Sequence, residues 1–271
     1  MTNKKEQIPF DINDKYWDTV HPGMPERIIH RLILVRHGES ESNIELTTTG
    51  KTTEYAIDHE LTELGKEQAQ DVANFLETKG IIYITRIEIS PLERAIQTAI
   101  PFLLKNSNKQ IESLSMYYVN YELREKYTKP PYWCKMPHKL HNICPYYKEI
   151  NFDANHNCVM KEKEWIRVYE NCLVKEAGFM RMPETDIEFN KRIEELISVW
   201  KSRGSVDRRE QTLVVTHSQV ISRILSSDKS FHLANGSISI IDIDEKHNLH
   251  VQMANYTTHL KNPTGMHTCI F

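Results

Sequence analysis

The stretch IIHRLILVRHGES, residues 28–40, decides how this chain is interpreted. Its first eight residues are apolar apart from His30 and Arg31, which is typical of a buried β-strand. The strand leads directly into Arg36 and His37 and then into a glycine. Because ligands of open α/β sheets bind at the carboxyl ends of the strands, we predict that His37 reacts and that Arg36 holds an anion.

The composition of the whole chain is that of a globular protein. It has 271 residues, 39% hydrophobic and 26% charged, which allows one large or two small domains. A net charge of −3 does not favour a nucleic-acid partner. No stretch approaches the roughly 18–20 apolar residues of a membrane span, and residues 1–18 lack the apolar core of a signal peptide. Five irregularly spaced cysteines do not form a disulfide framework, so we expect a cytoplasmic protein.

Hydrophobic patterning predicts that strands and helices alternate along the chain. Strands are predicted at 27–35, 81–89, 115–119, 211–216, 236–243 and 249–253. Helices are predicted at 61–79, 91–104, 161–177, 184–201 and 218–226, the first of them capped by Thr62, and residues 43–59 are predicted as a loop over the site. This alternation favours an α/β fold, a three-layer sandwich whose mostly parallel sheet has helices on both faces.

We divide the chain into one domain with flanking segments. Residues 1–26 are predicted as an N-terminal arm, 27–262 as the domain and 263–271 as a C-terminal tail. Within the domain, residues 126–160 interrupt the alternation and are predicted as an irregular cap insertion.

Three strand-to-helix junctions carry residues that suit a phosphoryl group. His37 follows the first predicted strand, His217 follows another, and Arg94 lies one turn into the helix after a third. In a parallel sheet these junctions share one edge, so the two histidines and the two arginines converge. Guanidinium groups match phosphate oxygens, and free amides at the helix start after His217 add donors. One imidazole could attack phosphorus while the other stabilises the transferring group.

Phosphoryl transfer to an imidazole also needs a proton for the leaving alkoxide. A carboxyl group kept protonated near neutral pH would supply this proton. Glu122 and Glu125, after the third predicted strand, are both candidates, and the residue pattern alone leaves the choice open.

The motifs together resemble those of the histidine phosphatase superfamily, in its phosphoglycerate-mutase-like branch, over residues of about 30 to 260. The resemblance is carried by Arg36-His37-Gly38-Glu39-Ser40 with Asn43, Leu61-Thr62-Glu63-Leu64-Gly65 with Gln68-Ala69, Ser90-Pro91-Leu92-Glu93-Arg94-Ala95 with Thr98, Leu123-Arg124-Glu125, Val214-Val215-Thr216-His217-Ser218, Asn235-Gly236-Ser237 and Asn255-Tyr256-Thr257-Thr258-His259-Leu260.

The resemblance implies a role for each matching residue. His37 would become phosphorylated, and Arg36, Arg94 and His217 would bind the phosphoryl group. Glu125, rather than Glu122, would protonate the leaving group and then activate water. The substrate-binding positions would further include Asn43, Ser40 and the backbone amide of Ser218. The resemblance implies neither a cofactor nor a metal.

The predicted cap leaves two further interpretations open. Cys134, His138, His141 and Cys144 could close around a structural zinc ion, although their spacing differs from the usual paired patterns. The same segment is basic and rich in tyrosine, so it could accept an anionic substrate with a bulky organic part, or it could be a solvated loop.

We therefore expect a phosphatase that hydrolyses phosphomonoesters through phosphohistidine. The alternatives are a phosphomutase of the same family and a catalytically idle protein that binds phosphorylated ligands. The expected partner is a small anionic phosphorylated substrate, with a phosphoprotein left open and neither nucleic acid nor membrane expected. The sequence does not specify the substrate or the oligomeric state.

Overall fold

The computed structural model describes residues 28–44, 59–79, 84–90, 92–107, 116–126, 184–205, 210–226 and 232–265. The predicted arm, the predicted helix at 161–177, the four candidate zinc ligands and nearly all of the predicted cap lie outside the described residues, as do residues 266–271 of the predicted tail. No helix within the described ranges is long and apolar enough to cross a membrane.

The described strands form one six-stranded sheet. They are β1 (Ile28–Arg36), β2 (Arg86–Ile89), β3 (Met116–Val119), β4 (Glu210–Thr216), β5 (Ile238–Asp244) and β6 (Leu249–Tyr256), in the order β3-β2-β4-β1-β5-β6. The first four strands pair in parallel, whereas β5 runs antiparallel to both β1 and β6. The predicted parallel sheet is therefore confirmed for β1–β4, and the two closing strands make the whole sheet mixed.

Helices cover both faces of this sheet. They are α1 (Glu63–Thr78), α2 (Glu93–Ser107), α3 (Asp186–Lys201) and α4 (Ser218–Leu225). Successive side chains of a strand point to opposite faces, so Ile33 and Val35 of β1 pack in the core under α1 and α2, whereas Leu32 and Leu34 pack in the core under α3 and α4. The three-layer α/β architecture predicted from the sequence is thus confirmed.

Local capping fixes where two of the helices begin. The side chain of Thr62 accepts a hydrogen bond from the Gly65 amide at 3.0 Å, as predicted for the N-cap of α1. Thr185 and Glu188 form a reciprocal capping box at the start of α3.

The buried stripe of α3 differs from the predicted one. Helical spacing in the sequence predicts an apolar stripe of Ile187, Ile193, Leu196, Ile197 and Trp200, but the side chain of Ile187 is 80% exposed. The buried apolar positions are Phe189, Ile193, Leu196 and Trp200, spaced by four, three and four residues, as one face of a helix requires. Ile187 lies two residues before Phe189 and is therefore rotated away from that face.

Candidate active site

The carboxyl ends of the parallel strands bring the predicted reactive residues to one edge of the sheet. His37 follows β1, Ser90 follows β2 and His217 follows β4. The His37 amide donates to the Thr216 carbonyl at 3.0 Å, and the Gly236 amide, in the turn before β5, donates to the His37 carbonyl at 3.1 Å. The backbone around His37 is therefore fixed from both neighbouring strands.

The imidazole of His37 is buried and oriented for reaction at Nε2. Its Nδ1 lies 2.7 Å from the carbonyl of Gly38, to which it donates, so Nε2 keeps its lone pair. Arg94 Nε donates to this Nε2 at 3.3 Å. Burial holds the pKa of His37 well below its usual value, and the charges of Arg94, His217 and Arg36 lower it further. A neutral imidazole at neutral pH is the nucleophilic form.

Two buried guanidinium groups make the site positive. Arg36 is 7% exposed and Arg94 is 5% exposed. Arg36 Nη1 donates to the Leu233 carbonyl, and its pKa is lowered to about 10 because burial and the charge of Arg94 outweigh the attraction of Glu125. Both groups are charged at neutral pH, and Glu125 supplies a single negative charge against them. The site is therefore suited to a dianion such as a phosphoryl group.

His217, which directly follows β4, lies close to two other side chains of the site. Its Nε2 lies 2.7 Å from the Ser90 hydroxyl, its Nδ1 lies 3.3 Å from Glu125 Oε2, and its ring centroid is 5.1 Å from that of His37. Burial is the main cause that lowers the pKa of His217 to about 4, against the opposing attraction of Glu125. His217 is also the N-cap residue of α4, so the backbone amide of Ser218 lies in the first turn of that helix.

Glu125 reaches the site, whereas Glu122 does not. Glu125 Oε2 lies 3.3 Å from Arg94 Nη2 and 3.3 Å from His217 Nδ1. The side chain of Glu122 is 51% exposed and pairs with Arg124. Burial raises the pKa of Glu125, but the charges of His217 and Arg94 together outweigh it and hold that pKa below its usual range.

Asn43 is oriented by hydrogen bonds from its own loop and from the turn before β5. Its Oδ1 accepts from the backbone amide of Ser40 at 3.1 Å, from the Ser40 hydroxyl at 2.9 Å and from Asn235 Nδ2 at 3.0 Å. This leaves the amide nitrogen of Asn43 as the donor that can face a ligand. The predicted loop at 43–59 needs a correction at its start, because residues 41–44 form a short helical turn.

Two hydroxyl groups support the predicted catalytic side chains, and the sequence reasoning assigned neither of them a role. Ser90 contacts His217, as described above. The Thr98 hydroxyl donates to the Arg94 carbonyl at 2.7 Å and accepts from the Gly38 amide at 3.0 Å. The available signal was positional: Ser90 directly follows a strand, and Thr98 stands one helical turn after Arg94.

Asn235 is a third supporting residue, which the sequence reasoning placed in a motif but to which it assigned no role. Its Nδ2 donates to the His37 carbonyl at 3.3 Å and to Asn43 Oδ1 at 3.0 Å. It is fully buried, and it therefore ties the turn before β5 to both the predicted nucleophile and a predicted substrate-binding residue.

His37, Glu125 and His217 also offer ligand atoms that lie within 4.8 Å of one another. Such a cluster can hold a metal ion. Arg94, however, donates to His37 Nε2 and places a fixed positive charge beside the cluster. Coulomb repulsion by the guanidinium groups disfavours a cation here and favours an anion.

Residues 32–116 match the family model of the histidine phosphatase superfamily (branch 1). This match agrees with the resemblance that the motifs predicted. The matched residues include Arg36, His37 and Arg94. Glu125 and His217 lie beyond the match and join the same cluster through the fold.

One curated relative matches a short part of the chain. It is the 2,3-bisphosphoglycerate-dependent phosphoglycerate mutase of Dichelobacter nodosus strain VCS1703A, which is 43% identical over 68 residues. This match covers 25% of the present chain and spans a quarter (25%) of the length of that relative.

Solved structures share the fold over most of the chain. The phosphoglycerate mutase of Bacillus anthracis strain Sterne has a TM-score of 0.52 and 21% identity, with 87% of this chain and 96% of that chain covered. The phosphoserine phosphatase of Entamoeba histolytica, in complex with 3-phosphoglyceric acid, has a TM-score of 0.50 and 21% identity, with 86% and 100% covered. At these identities the likeness establishes the fold.

Proposed function

We propose that the protein is a phosphatase that hydrolyses small phosphomonoesters through a phosphohistidine intermediate on His37. The observation that carries the proposal is the surroundings of His37 Nε2. Arg94 Nε donates to this nitrogen at 3.3 Å, and Arg36 and His217 are also buried in the site.

The cysteine usage of the chain favours a reducing compartment, so we propose the cytoplasm as the location.

Two buried donors support the binding of a phosphoryl group. Arg36 Nε makes no hydrogen bond within the described part of the chain, and neither does His217 Nδ1, which lies near Glu125 but outside hydrogen-bond geometry. Buried polar groups normally have partners, so donors without one require an explanation. Phosphoryl oxygens would satisfy both donors, and Arg94, Asn43 and the Ser218 amide would add further contacts.

The chemistry proceeds in two balanced steps. In the first, the lone pair of His37 Nε2 forms a bond to phosphorus, the bond between phosphorus and the ester oxygen breaks, and Glu125 gives its proton to the departing alkoxide. In the second, Glu125 takes a proton from water, the resulting hydroxide bonds to phosphorus, and the phosphorus–nitrogen bond breaks. Inorganic phosphate leaves, and both residues return to their initial state.

Binding of the substrate raises the pKa of Glu125, which then takes from the solvent the proton that it donates. The charges of His217 and Arg94 keep the pKa of Glu125 low in the protein alone. A bound phosphoryl dianion neutralises the charge of Arg94 and adds its own repulsion, and both effects raise the pKa of a neighbouring carboxyl. Glu125 therefore becomes protonated when the ester binds, at the moment when its proton is needed.

The second candidate function is a phosphomutase. The similarity of 68 residues to the mutase of Dichelobacter nodosus favours it. A mutase would return the phosphoryl group from His37 to a second hydroxyl of the bound ligand instead of passing it to water. An idle phospho-ligand-binding protein is a weaker alternative, because the predicted nucleophile, proton donor and phosphate-binding residues converge at one edge of the sheet.

A panel of phosphomonoesters tests these alternatives. The purified protein is assayed for phosphate release from sugar phosphates, nucleotides, phosphoamino acids and phosphopeptides, with His37→Ala as the control. In parallel, phosphorylated glycerates are assayed for isomerisation. Phosphate release that disappears in the His37→Ala protein supports the phosphatase. Isomerisation without net release would support the mutase, and no activity on any ester would favour the binding protein.

A further inference from the structure

A buried arginine of α3 holds the backbone of the segment that carries Glu125. Arg192 is 6% exposed, and its Nη1 donates to the carbonyl of Glu122 and, at 3.3 Å, to the carbonyl of Arg124. These two carbonyls stand three residues and one residue before Glu125. The guanidinium group therefore bridges the short turn from which the proposed proton donor projects.

The guanidinium group of Arg192 is itself held on its other edge. Its Nε and Nη2 donate to the two carboxylate oxygens of Glu184, each at 2.8 Å. The side chain of Glu184 is 8% exposed and also accepts from Arg124 Nη2 at 3.3 Å. The ring of Phe189 lies 5.0 Å from the Arg192 guanidinium carbon. A two-point carboxylate contact and a flat ring together leave the group little freedom to move.

Three successive carbonyls before Glu125 are fixed by side chains from other elements. Arg192 holds the carbonyls of Glu122 and Arg124, and the hydroxyl of Thr216 donates to the intervening carbonyl of Leu123 at 2.6 Å. Thr216 ends β4 and precedes His217, whereas Arg192 comes from the helix layer. The position of Glu125 is thereby set from two sides of the fold.

We propose that Arg192 is a positioning residue for proton transfer and that it acts through Glu125. This inference rests on the proposed function, in which Glu125 protonates the leaving group. Arg192 does not touch the reacting atoms. Displacement of a catalytic group by about 1 Å can cost roughly 10²-fold in rate, so a rigid backbone before Glu125 has a measurable catalytic value.

The test is the dependence of kcat/KM on the leaving group across a series of substituted phenyl phosphates. A poor leaving group needs the proton more than nitrophenolate does. Glu125→Gln defines the steep dependence expected without a proton donor. We expect the leaving-group dependence of Arg192→Gln to be steeper than that of the parent, in the same direction as for Glu125→Gln. Its kcat/KM should fall roughly 10–100-fold on phenyl phosphate and only slightly on nitrophenyl phosphate. The double variant should be no steeper than Glu125→Gln alone.

The matched control is Arg31→Gln. Arg31 makes an equivalent buried two-point contact with Asp242, at 2.7 and 2.8 Å, away from the Glu125 segment. The Arg31→Gln substitution should lower thermal stability about as much as Arg192→Gln does and should leave the leaving-group dependence of kcat/KM unchanged. If Arg192→Gln does not fold, Glu184→Gln, which removes the charge that orients Arg192, should show the same steepening to a smaller degree.

The outcomes separate the inference from the proposed function. A leaving-group dependence of kcat/KM for Glu125→Gln that is no steeper than that of the parent would overturn the proposed proton donor. The positioning role alone would be overturned if Glu125→Gln had a steep leaving-group dependence and Arg192→Gln kept that of the parent. Equal losses of kcat/KM on all esters in Arg192→Gln, the pattern expected of a merely structural change, would overturn it in the same way.

Discussion

The hydroxyl of Ser90 lies within hydrogen-bond distance of His217 Nε2, at 2.7 Å. Ser90 Oγ accepts from the Leu92 amide at 3.3 Å, and we infer that it gives its own hydroxyl proton to His217 Nε2 and so selects the tautomer of that ring. The depressed pKa of His217 keeps the ring neutral, and its own proton then lies on Nδ1, the nitrogen nearest to Glu125. In this form Nδ1 can donate to a phosphoryl oxygen.

We expect Ser90→Ala to lower kcat/KM by about 3–10-fold, because the hydrogen bond that fixes this tautomer contributes roughly 0.5–1.5 kcal/mol. The loss should be measured with nitrophenyl phosphate at neutral pH. Ser237→Ala is the matched control, since the Ser237 hydroxyl is buried without a hydrogen-bond partner among the described residues. Equal activity of the two variants would contradict the assigned tautomer.

The sequence could predict His37, Arg94 and His217 as site residues because each stands at or just after a strand-to-helix junction, which is a local pattern. It could not predict the roles of Ser90 and Asn235. Their partners are distant in the chain, and a buried hydroxyl or amide has no sequence signature that names its partner.

At the scale of elements, the start of α1 packs backbone against backbone on the loop that carries His37. A Cβ on Gly38 would lie 2.4 Å from the Gly65 carbonyl oxygen, and a Cβ on Gly65 would lie 1.9 Å from the Glu39 carbonyl oxygen. The Glu39 amide also donates to Gln68 of α1 at 2.8 Å. Only glycine at both positions permits this approach.

Gly65→Ala should therefore destabilise the protein by about 1–3 kcal/mol and lower activity, since the added methyl group pushes the His37 loop away from α1. Urea unfolding followed by fluorescence measures the first effect. Lys66→Ala, at an exposed neighbouring position, should change stability by less than about 0.5 kcal/mol. An alanine variant at Gly65 as stable and active as the parent would show that this contact is not needed.

The types of the described elements could be predicted from the sequence, but the direction of the two closing strands, β5 and β6, could not. Alternation of strands and helices predicted a mostly parallel sheet, and β1, β2 and β4 do run in parallel. The pairing of β5 with β1 is antiparallel and joins residues more than 200 positions apart, such as Ile33 and Ile240. Both orientations bury the same apolar side chains, so composition alone cannot distinguish them.

At the scale of the whole molecule, the buried histidines couple folding to pH. The pKa values of His30, His37, His217 and His259 are all lowered, and burial is the first cause for each. The values for His217 and His259 fall to about 4. The unfolded chain takes up protons near pH 6.5, whereas the folded chain does not.

Stability should therefore be fully present above about pH 6.5 and should fall as the pH is lowered towards 4. Each histidine whose protonation is blocked contributes about 1.4 kcal/mol per pH unit in this window. Urea titrations at several pH values give the slope. His259→Gln, away from the catalytic cluster, should reduce the slope by about one proton. A free energy of unfolding that is independent of pH between 6.5 and 4.5 would contradict this behaviour.

The phosphohistidine mechanism depends most directly on where a transferred phosphoryl group resides. Brief incubation with a phosphorus-labelled ester that supports turnover, followed by denaturation without acid, should leave the label on His37. Because Nδ1 donates to the Gly38 carbonyl, the phosphorus should be bonded to Nε2, which phosphorus NMR of the digested peptide can establish. The label should be absent from His37→Ala. Label recovered on a serine or a cysteine, or turnover that persists in His37→Ala, would contradict the mechanism.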